Sequence, residues 1–308
     1  MKKLFFSVGI LSVLLASCDK VDNPYPDVQS TELDHSLYPG AWADYEANEW
    51  PVFTANTNLN RNVLIEDYTG HKCTYCPAAA VAANQVEHDH EGSVFIASIH
   101  SSNNGISNYQ ELDPPEYPHD FTNPQGLEIG TFFGTYDGGF IGNPRGTINR
   151  KVFNGVIFQS WNNWATQTND ILTTNDLDVN LQAKANYYPS TRGLFLHAEI
   201  EKLDNGISDD LGVVVYLIED SLVGDQKMAD NSHNQTYVHR DIHCGNIDGR
   251  AFGRTLTAEN LNENGKYYLN YSYKLPEQYV PENMHLLVYV YNKLTYEIYQ
   301  VVKVAFPE

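Results

Sequence analysis

Apolar positions along this chain change regime three times. Met1-Lys2-Lys3 precedes a mostly apolar stretch from Leu4 to Ala16, shorter than the roughly 20 residues that a helix needs to cross a bilayer. From Asp19 to about Trp50 the chain is rich in Asp, Asn, Pro, Tyr and Ser and keeps no period, the pattern of a stalk. Asn62-Val63-Leu64-Ile65-Glu66-Asp67-Tyr68 then reads as a short strand, broken at Thr69-Gly70-His71-Lys72. The alanine-rich Pro77–Glu87 predicts a helix, with the proline tolerated in its first turn. Ser93–Ile99 is the next buried strand, which completes a βαβ unit. Leu127–Tyr136 and Gln159–Thr173 are further helical stretches, the second with Trp161 and Trp164 on one side. Beyond Leu177 the period becomes two: Val179, Leu181 and Ala183 alternate with polar residues, as do Leu194, Leu196 and Ala198, then Val213, Val215 and Leu217. Tyr267–Tyr273, Leu286–Val290 and Ile298–Phe306 continue the alternation, the last two joined across Asn292–Thr295. Short alternating strands with turn punctuation predict an antiparallel sandwich of immunoglobulin-like type.

Composition agrees with a folded chain of two domains. Of 308 residues, 42% are hydrophobic and 12% aromatic, which excludes disordered and collagen-like classes. With 39 acidic and 19 basic residues the formal charge is −20; nucleic-acid binding would need a basic face, so no nucleic-acid partner is expected. The tyrosines are read as sheet-face packing and cross-strand pairs rather than a carbohydrate platform.

Four cysteines cannot staple a chain of this length, so each needs its own account. A basic start, an apolar stretch and small residues describe a secretory signal over residues 1–17. Leu15-Ala16-Ser17-Cys18 resembles the lipobox of bacterial lipoproteins, in which the cysteine is acylated. Cleavage before Cys18 removes Lys2 and Lys3 and no acid, and each buried methylene of the acyl chains adds roughly 0.8 kcal/mol of anchoring. The expected partner is therefore a membrane surface outside the cytoplasm.

Cys73-Thr74-Tyr75-Cys76 lies between the strand and the helix. A thiol there faces the positive end of the helix dipole and unpaired amides, which favour thiolate. Lys72 and His71 stand beside it. Cys73 is thus assigned as attacking thiol and Cys76 as resolving thiol. Zinc ribbons also use this spacing but want a second pair, and Cys244 is the one cysteine left. Cys244 either is an unpaired buried thiol or lies near the pair. His233, His239, His243 and Cys244 suggest a metal site, but the stretch lacks a helix start, so it is read as a surface loop with packing histidines. No metal or other cofactor is assigned.

Strand, Cys-x-x-Cys and helix together resemble the thioredoxin superfamily. That resemblance implies a proline opposite the cysteines, here Pro144 in Ile141-Gly142-Asn143-Pro144-Arg145-Gly146-Thr147-Ile148, with a cis bond and with the backbone near Asn143 pairing with a thiol substrate. A plain loop proline is the alternative. The interval from Cys76 to Pro144 is long, and Ser101–Pro124 accounts for the excess as an inserted loop. Lys72 replaces the usual tryptophan, and either Glu66 or Asp67 suits the buried carboxylate. The lipobox, the acidic stalk, Glu66-Asp67-Tyr68-Thr69-Gly70, Cys73-Thr74-Tyr75-Cys76-Pro77, Gly142-Asn143-Pro144 and the β-rich tail resemble the outer-membrane-protein-twenty-eight-related lipoproteins of Bacteroidetes.

The expected organisation is a signal peptide at 1–17, a stalk at 18–50, a thioredoxin-like α/β domain at 51–174 with its insertion at about 101–124, and an immunoglobulin-like β-sandwich domain at 177–308. The expected function is that of an outer-membrane lipoprotein, tethered through Cys18, exchanging thiols and disulfides with envelope or surface proteins. The alternative is a non-catalytic adhesin or envelope-assembly protein in which Cys73–Cys76 is structural. Client, membrane face and oligomeric state are open.

Overall fold

The computed structural model describes residues 32–204, 206–207 and 210–306. The expected signal peptide and Cys18 lie outside these residues. Regular elements follow in the order α1 (Trp42–Asn48), β1 (Val63–Thr69), α2 (Cys76–Asp89), β2 (Val94–His100), α3 (Pro124–Thr135), β3 (Arg145–Ile148), β4 (Phe158–Gln159) and α4 (Trp164–Thr174). The second half adds β5 (Val179–Tyr188), β6 (Gly193–Lys202), β7 (Leu211–Glu219), β8 (Leu222–Lys227), β9 (His233–His239) and β10 (Ile242–Asn246). It ends with β11 (Arg254–Thr255), β12 (Tyr267–Lys274), β13 (Met284–Asn292) and β14 (Ile298–Ala305). The fold is mixed α/β and rich in β-structure, and no described helix is long and apolar enough to cross a membrane.

The two halves share one sheet. Its order is β14-β13-β7-β10-β2-β1-β3-β4, with β11 also on β7. β1 and β2 are parallel, from Val63 opposite Val94 to Thr69 opposite His100. β10 joins the halves by pairing with β2 at Ile242–Ser98, where the Ser98 amide donates to the Asp241 carbonyl at 2.7 Å.

Alternation within β1 and β2 gives the sheet its two faces. Val63, Ile65, Val94 and Ile96 pack under α2 and α4 against Ala79, Ala83, Trp164 and Ile171. On the opposite face Leu64, Tyr68, Phe95 and Ile99 pack with Ile129 and Phe133 of α3. That core runs on without a break into Val214, Tyr216 and Ile218 of β7 and Leu287, Tyr289 and Tyr291 of β13. A separate three-stranded sheet, β12-β6-β5, covers Val213, Val215, Leu217, Leu286 and Val288 on the other side.

An antiparallel β-sandwich domain was expected over residues 177–308; in the structure the large sheet of this half continues through β10 into the sheet of the first half. The reason lies in β7 and β13, which are buried at every position. A strand apolar at successive positions must be covered on both faces. The small sheet supplies one cover and the α3 side of the molecule the other.

Residues 32–50, expected within the stalk, are folded where described. Trp42, Tyr45 and Trp50 cluster with Phe195 and Tyr188 on the small sheet. The Tyr45 hydroxyl donates to His197 Nε2 at 2.6 Å, and His197 Nδ1 donates to Asn270 Oδ1 at 2.6 Å. A seven-residue helix is too short to print a period, so its aromatics gave no signal of docking.

Candidate functional site

The C-terminal ends of parallel β1 and β2 form the floor of the site, the edge at which open α/β sheets present their chemistry. After Thr69 the chain turns through Gly70, where an added Cβ would lie 2.6 Å from the Tyr109 carbonyl oxygen. Glycine therefore lets the inserted loop cross the corner. Cys73 precedes the helix by one turn; Cys76 is the first residue of α2 and Pro77 the second. The two cysteines form a disulfide, with Cα atoms 5.4 Å apart.

Two segments enclose this corner. The insertion grips it through the Lys72 amide donating to Tyr109 O at 3.0 Å and Gln110 Nε2 donating to Thr69 O at 2.6 Å. His71 Nε2 donates to Glu111 O at 3.2 Å, and the Lys72 ammonium stands 3.8 Å from Asp113. From the other side comes the β8–β9 hairpin, a two-stranded sheet of its own. Its Lys227 amide donates to His71 O at 2.8 Å and its Gln226 Nε2 to Cys73 O at 3.2 Å. Insertion and hairpin meet at Asp225, whose carboxylate accepts from His119 at 3.0 Å and His233 at 2.7 Å. The outcome is that Cys73 is 2% and Cys76 1% exposed.

Behind the disulfide, Asp67, Cys76, Pro77, His100, Gln226 and His239 line a cavity of about 30 Å³. Asp67 is buried, its Oδ1 has no hydrogen-bond partner, and burial pushes its carboxyl up to about 8. The choice between Glu66 and Asp67 is one of strand parity. Asp67 points with Ile65 toward α2 and the cysteines, whereas Glu66 points to the α3 face. There Glu66 accepts from Arg150 at 2.6 and 2.8 Å, Tyr216 at 2.8 Å and Thr147 at 2.8 Å. Burial opposes its ionisation, but the Arg150 guanidinium and these donors hold Glu66 below the ordinary carboxylate value.

The Asn143–Pro144 peptide bond is cis. Asn143 Nδ2 donates to Ser101 O at 2.8 Å and its Oδ1 accepts from Ser102, so the insertion also braces this loop. Pro144, Tyr75, Ile141, Tyr109 and Trp161 line an open cleft of about 590 Å³. Tyr75, between the cysteines, is 65% exposed and Ile141 74%. The cleft thus brings the Cys-x-x-Cys turn and the proline loop to one surface.

The histidine stretch is not a surface loop; it supplies β9 and β10. Among the described residues no group of His, Cys, Asp or Glu could hold a metal ion. His233 pairs with Asp225, while His239 is buried 4.3 Å from the Phe121 ring. His243 lies on the α3 face, 4.3 Å from the Tyr216 ring, and bonds to Asn246. Cys244 packs against the sandwich core beside Glu219 and does not line the cavity at Cys76. Burial, then the Glu219 charge, push its thiol up to about 12. Iodoacetamide at pH 8 is therefore expected to leave Cys244 unmodified in the native oxidised protein and to add one adduct after unfolding, read as intact mass. Adduct formation at the rate of a free thiol would contradict this environment.

The sequence reading missed His100 and Gln226. Parity was a usable signal for His100, which shares a face with Ile96. Gln226 sits in a polar hairpin that carried none.

No curated protein matches the chain. Among solved structures, HBP35 of Porphyromonas gingivalis has the same fold, with a TM-score of 0.59 and 15% identity over 82% of this chain and 77% of that one. A domain of the outer membrane lipoprotein Omp28 from Porphyromonas gingivalis is 24% identical over 42% of this chain and 89% of that one, with a TM-score of 0.29. The family described as outer membrane protein Omp28 matches residues 136–308, which include Pro144 and the second half but not the cysteine pair. As this match spans more than half of its length, the chain belongs to the Omp28 family of outer membrane proteins.

Proposed function

We propose that this outer-membrane protein is a lipoprotein, anchored through acylated Cys18, whose first half is a thioredoxin-like unit exchanging thiols and disulfides with envelope proteins. The observation that carries the reading is Asp67, an unpaired buried carboxyl kept in the cavity beside Cys76. A disulfide that merely staples a helix start has no use for such a group, and its burial is costly.

In the exchange, reduced Cys73 attacks a client disulfide, and one client sulfur leaves as thiolate while a Cys73–client disulfide forms. Asp67 takes the proton of Cys76, whose sulfur attacks Cys73 and expels the second client sulfur. Run backward, the same steps oxidise a client dithiol. The cleft at Tyr75, Ile141 and Pro144 receives the client chain. Purified protein lacking residues 1–17 is expected to reduce insulin or to oxidise a dithiol peptide, and Cys73→Ser to abolish both activities. Cys76→Ser is expected to accumulate mixed disulfides in cells. Equal rates for the parent and Cys73→Ser in both assays would refute exchange.

One observation favours a second reading. Both sulfurs are nearly inaccessible beneath the insertion and the hairpin, as in a structural disulfide of an adhesin or assembly factor. The reduction potential separates the two, since a structural bond falls below about −300 mV.

A further inference from the structure

The cavity beside Cys76 contains a second buried group that the exchange steps above leave idle. In the parallel pairing, Asp67 lies opposite Ser98 and Thr69 opposite His100. All four side chains share the α2 face and line the same cavity. His100 is 3% exposed, and neither ring nitrogen has a hydrogen-bond partner. Its ring is flanked by Phe121 at 5.0 Å and His239 at 5.8 Å between centroids. Two orphaned polar groups from adjacent strands, Asp67 Oδ1 and the His100 imidazole, thus border one space of about 30 Å³. A water needs roughly 10–15 Å³ and two or more polar partners, and this space offers both. Packing alone does not explain the imidazole, because an apolar ring would fill the slot without burying two unsatisfied nitrogens.

We infer that His100 is a proton-relay residue for the resolving step, linking Asp67 to solvent through water in this cavity. The inference rests on the exchange reading. When Cys76 resolves a mixed disulfide, its thiol proton passes to ionised Asp67 and its sulfur bonds to the Cys73 sulfur. The Cys73–client bond breaks, and the client sulfur leaves with the electron pair. Asp67 must then lose the proton before it can act again. His100 accepts it on one nitrogen and releases the proton of the other toward the hairpin rim, where Arg240 is half-exposed. Bulk solvent takes up that proton and protonates the client thiolate, so the cavity ends with the charge it began with, that of ionised Asp67.

The groups facing His100 are Asp67 on β1, His71 at the corner, Cys76 on α2, and Tyr237, His239 and Arg240 on the hairpin side. Burial, with His239 and His71 nearby, keeps the imidazole neutral, which is the state that a two-sided relay requires.

The test uses reduced protein lacking residues 1–18, and so without the Cys18 thiol, with glutathione disulfide as probe, separating formation of the Cys73–glutathione adduct from its resolution by rapid quench and mass. His100→Phe is expected to leave adduct formation within two-fold of the parent and to slow resolution at least ten-fold between pH 6 and 9. Added imidazole is expected to restore part of the resolving rate in His100→Gly, which vacates the volume of the buried ring, and a purely structural role would not permit that. His100→Gln, which keeps polar contacts without a titratable ring, is expected to show the same slowing and stands in should the phenylalanine variant not fold. Resolution at the parent rate in a folded variant, or slowing of His100→Gly without imidazole rescue, overturns the relay. A parent protein that neither forms nor resolves the adduct overturns the exchange reading instead.

Discussion

Replacing Arg150 by methionine is expected to cost about 3–5 kcal/mol of stability at neutral pH, the penalty for orphaning one member of a fully buried ion pair. Arg150 and Glu66 are both inaccessible to solvent. The guanidinium donates twice to the carboxylate, and its Nη2 also reaches the Tyr216 and Tyr289 hydroxyls, each at 3.1 Å. Methionine fills much of the volume but leaves Glu66 with only Thr147 and Tyr216 as donors. Because the folded-state value of Glu66 lies below its ordinary one, the pair contributes fully above the unfolded value. That contribution is lost as pH falls through the folded one. The variant's deficit should therefore be largest near pH 7 and shrink as pH falls, first because the orphaned Glu66 of the variant takes up a proton and then, below the ordinary value, as the parent's Glu66 does. Urea denaturation gives the measure. The double variant Glu66→Gln/Arg150→Met should regain much of the loss. A single variant within 1 kcal/mol of the parent would mean that the pair contributes nothing net.

The same network bears on how the halves unfold. Glu66 and Arg150 belong to the first half, Tyr216 and Tyr289 to β7 and β13, and one apolar core surrounds them all. Two domains with separate cores would melt independently; a shared core favours one transition.

How much of this was legible depended on the range of the interaction. β1, the Cys-x-x-Cys turn and α2 follow from local rules, namely a β-branched run, a glycine break and an alanine-rich stretch opened by proline. The pairing of β13 with β14 across Asn292–Thr295 was equally local. The fusion of the halves was not, because it depends on β10, which pairs with β2 at Ile242–Ser98 and sits in a stretch dense with histidine. Part of it was nevertheless readable. Leu211–Glu219 is apolar at Val214, Tyr216 and Ile218 as well as at Val213, Val215 and Leu217, and such a run needs two covers. The hairpin over the cysteines, Leu222-Val223-Gly224-Asp225-Gln226-Lys227 paired with His233–His239, has too little alternation to announce a strand. What places it is contact with the corner at His71 and Cys73, which no local pattern encodes.

Asp67→Asn tests both the stability and the chemistry of the site. The carboxyl has a folded-state value of about 8 against an ordinary 3.8, so the folded protein holds this proton more tightly than the unfolded chain does. Its contribution is therefore most favourable below the unfolded value and is lost as pH rises from about 4 through 8. At pH 7 the accumulated loss is roughly 4 kcal/mol at 1.36 kcal/mol per unit. Asparagine cannot ionise. The oxidised variant is thus expected to match the parent near pH 4, where both side chains are neutral, and to exceed it in urea midpoint by a margin that widens toward pH 8. Resolution of a Cys73 mixed disulfide should meanwhile slow, since Cys76 has lost its proton acceptor. A margin independent of pH would show that Asp67 is not penalised for ionising. A faster or unchanged resolving step would remove it from the chemistry. Higher stability with impaired exchange is the combination expected of a group retained for the reaction and against the fold.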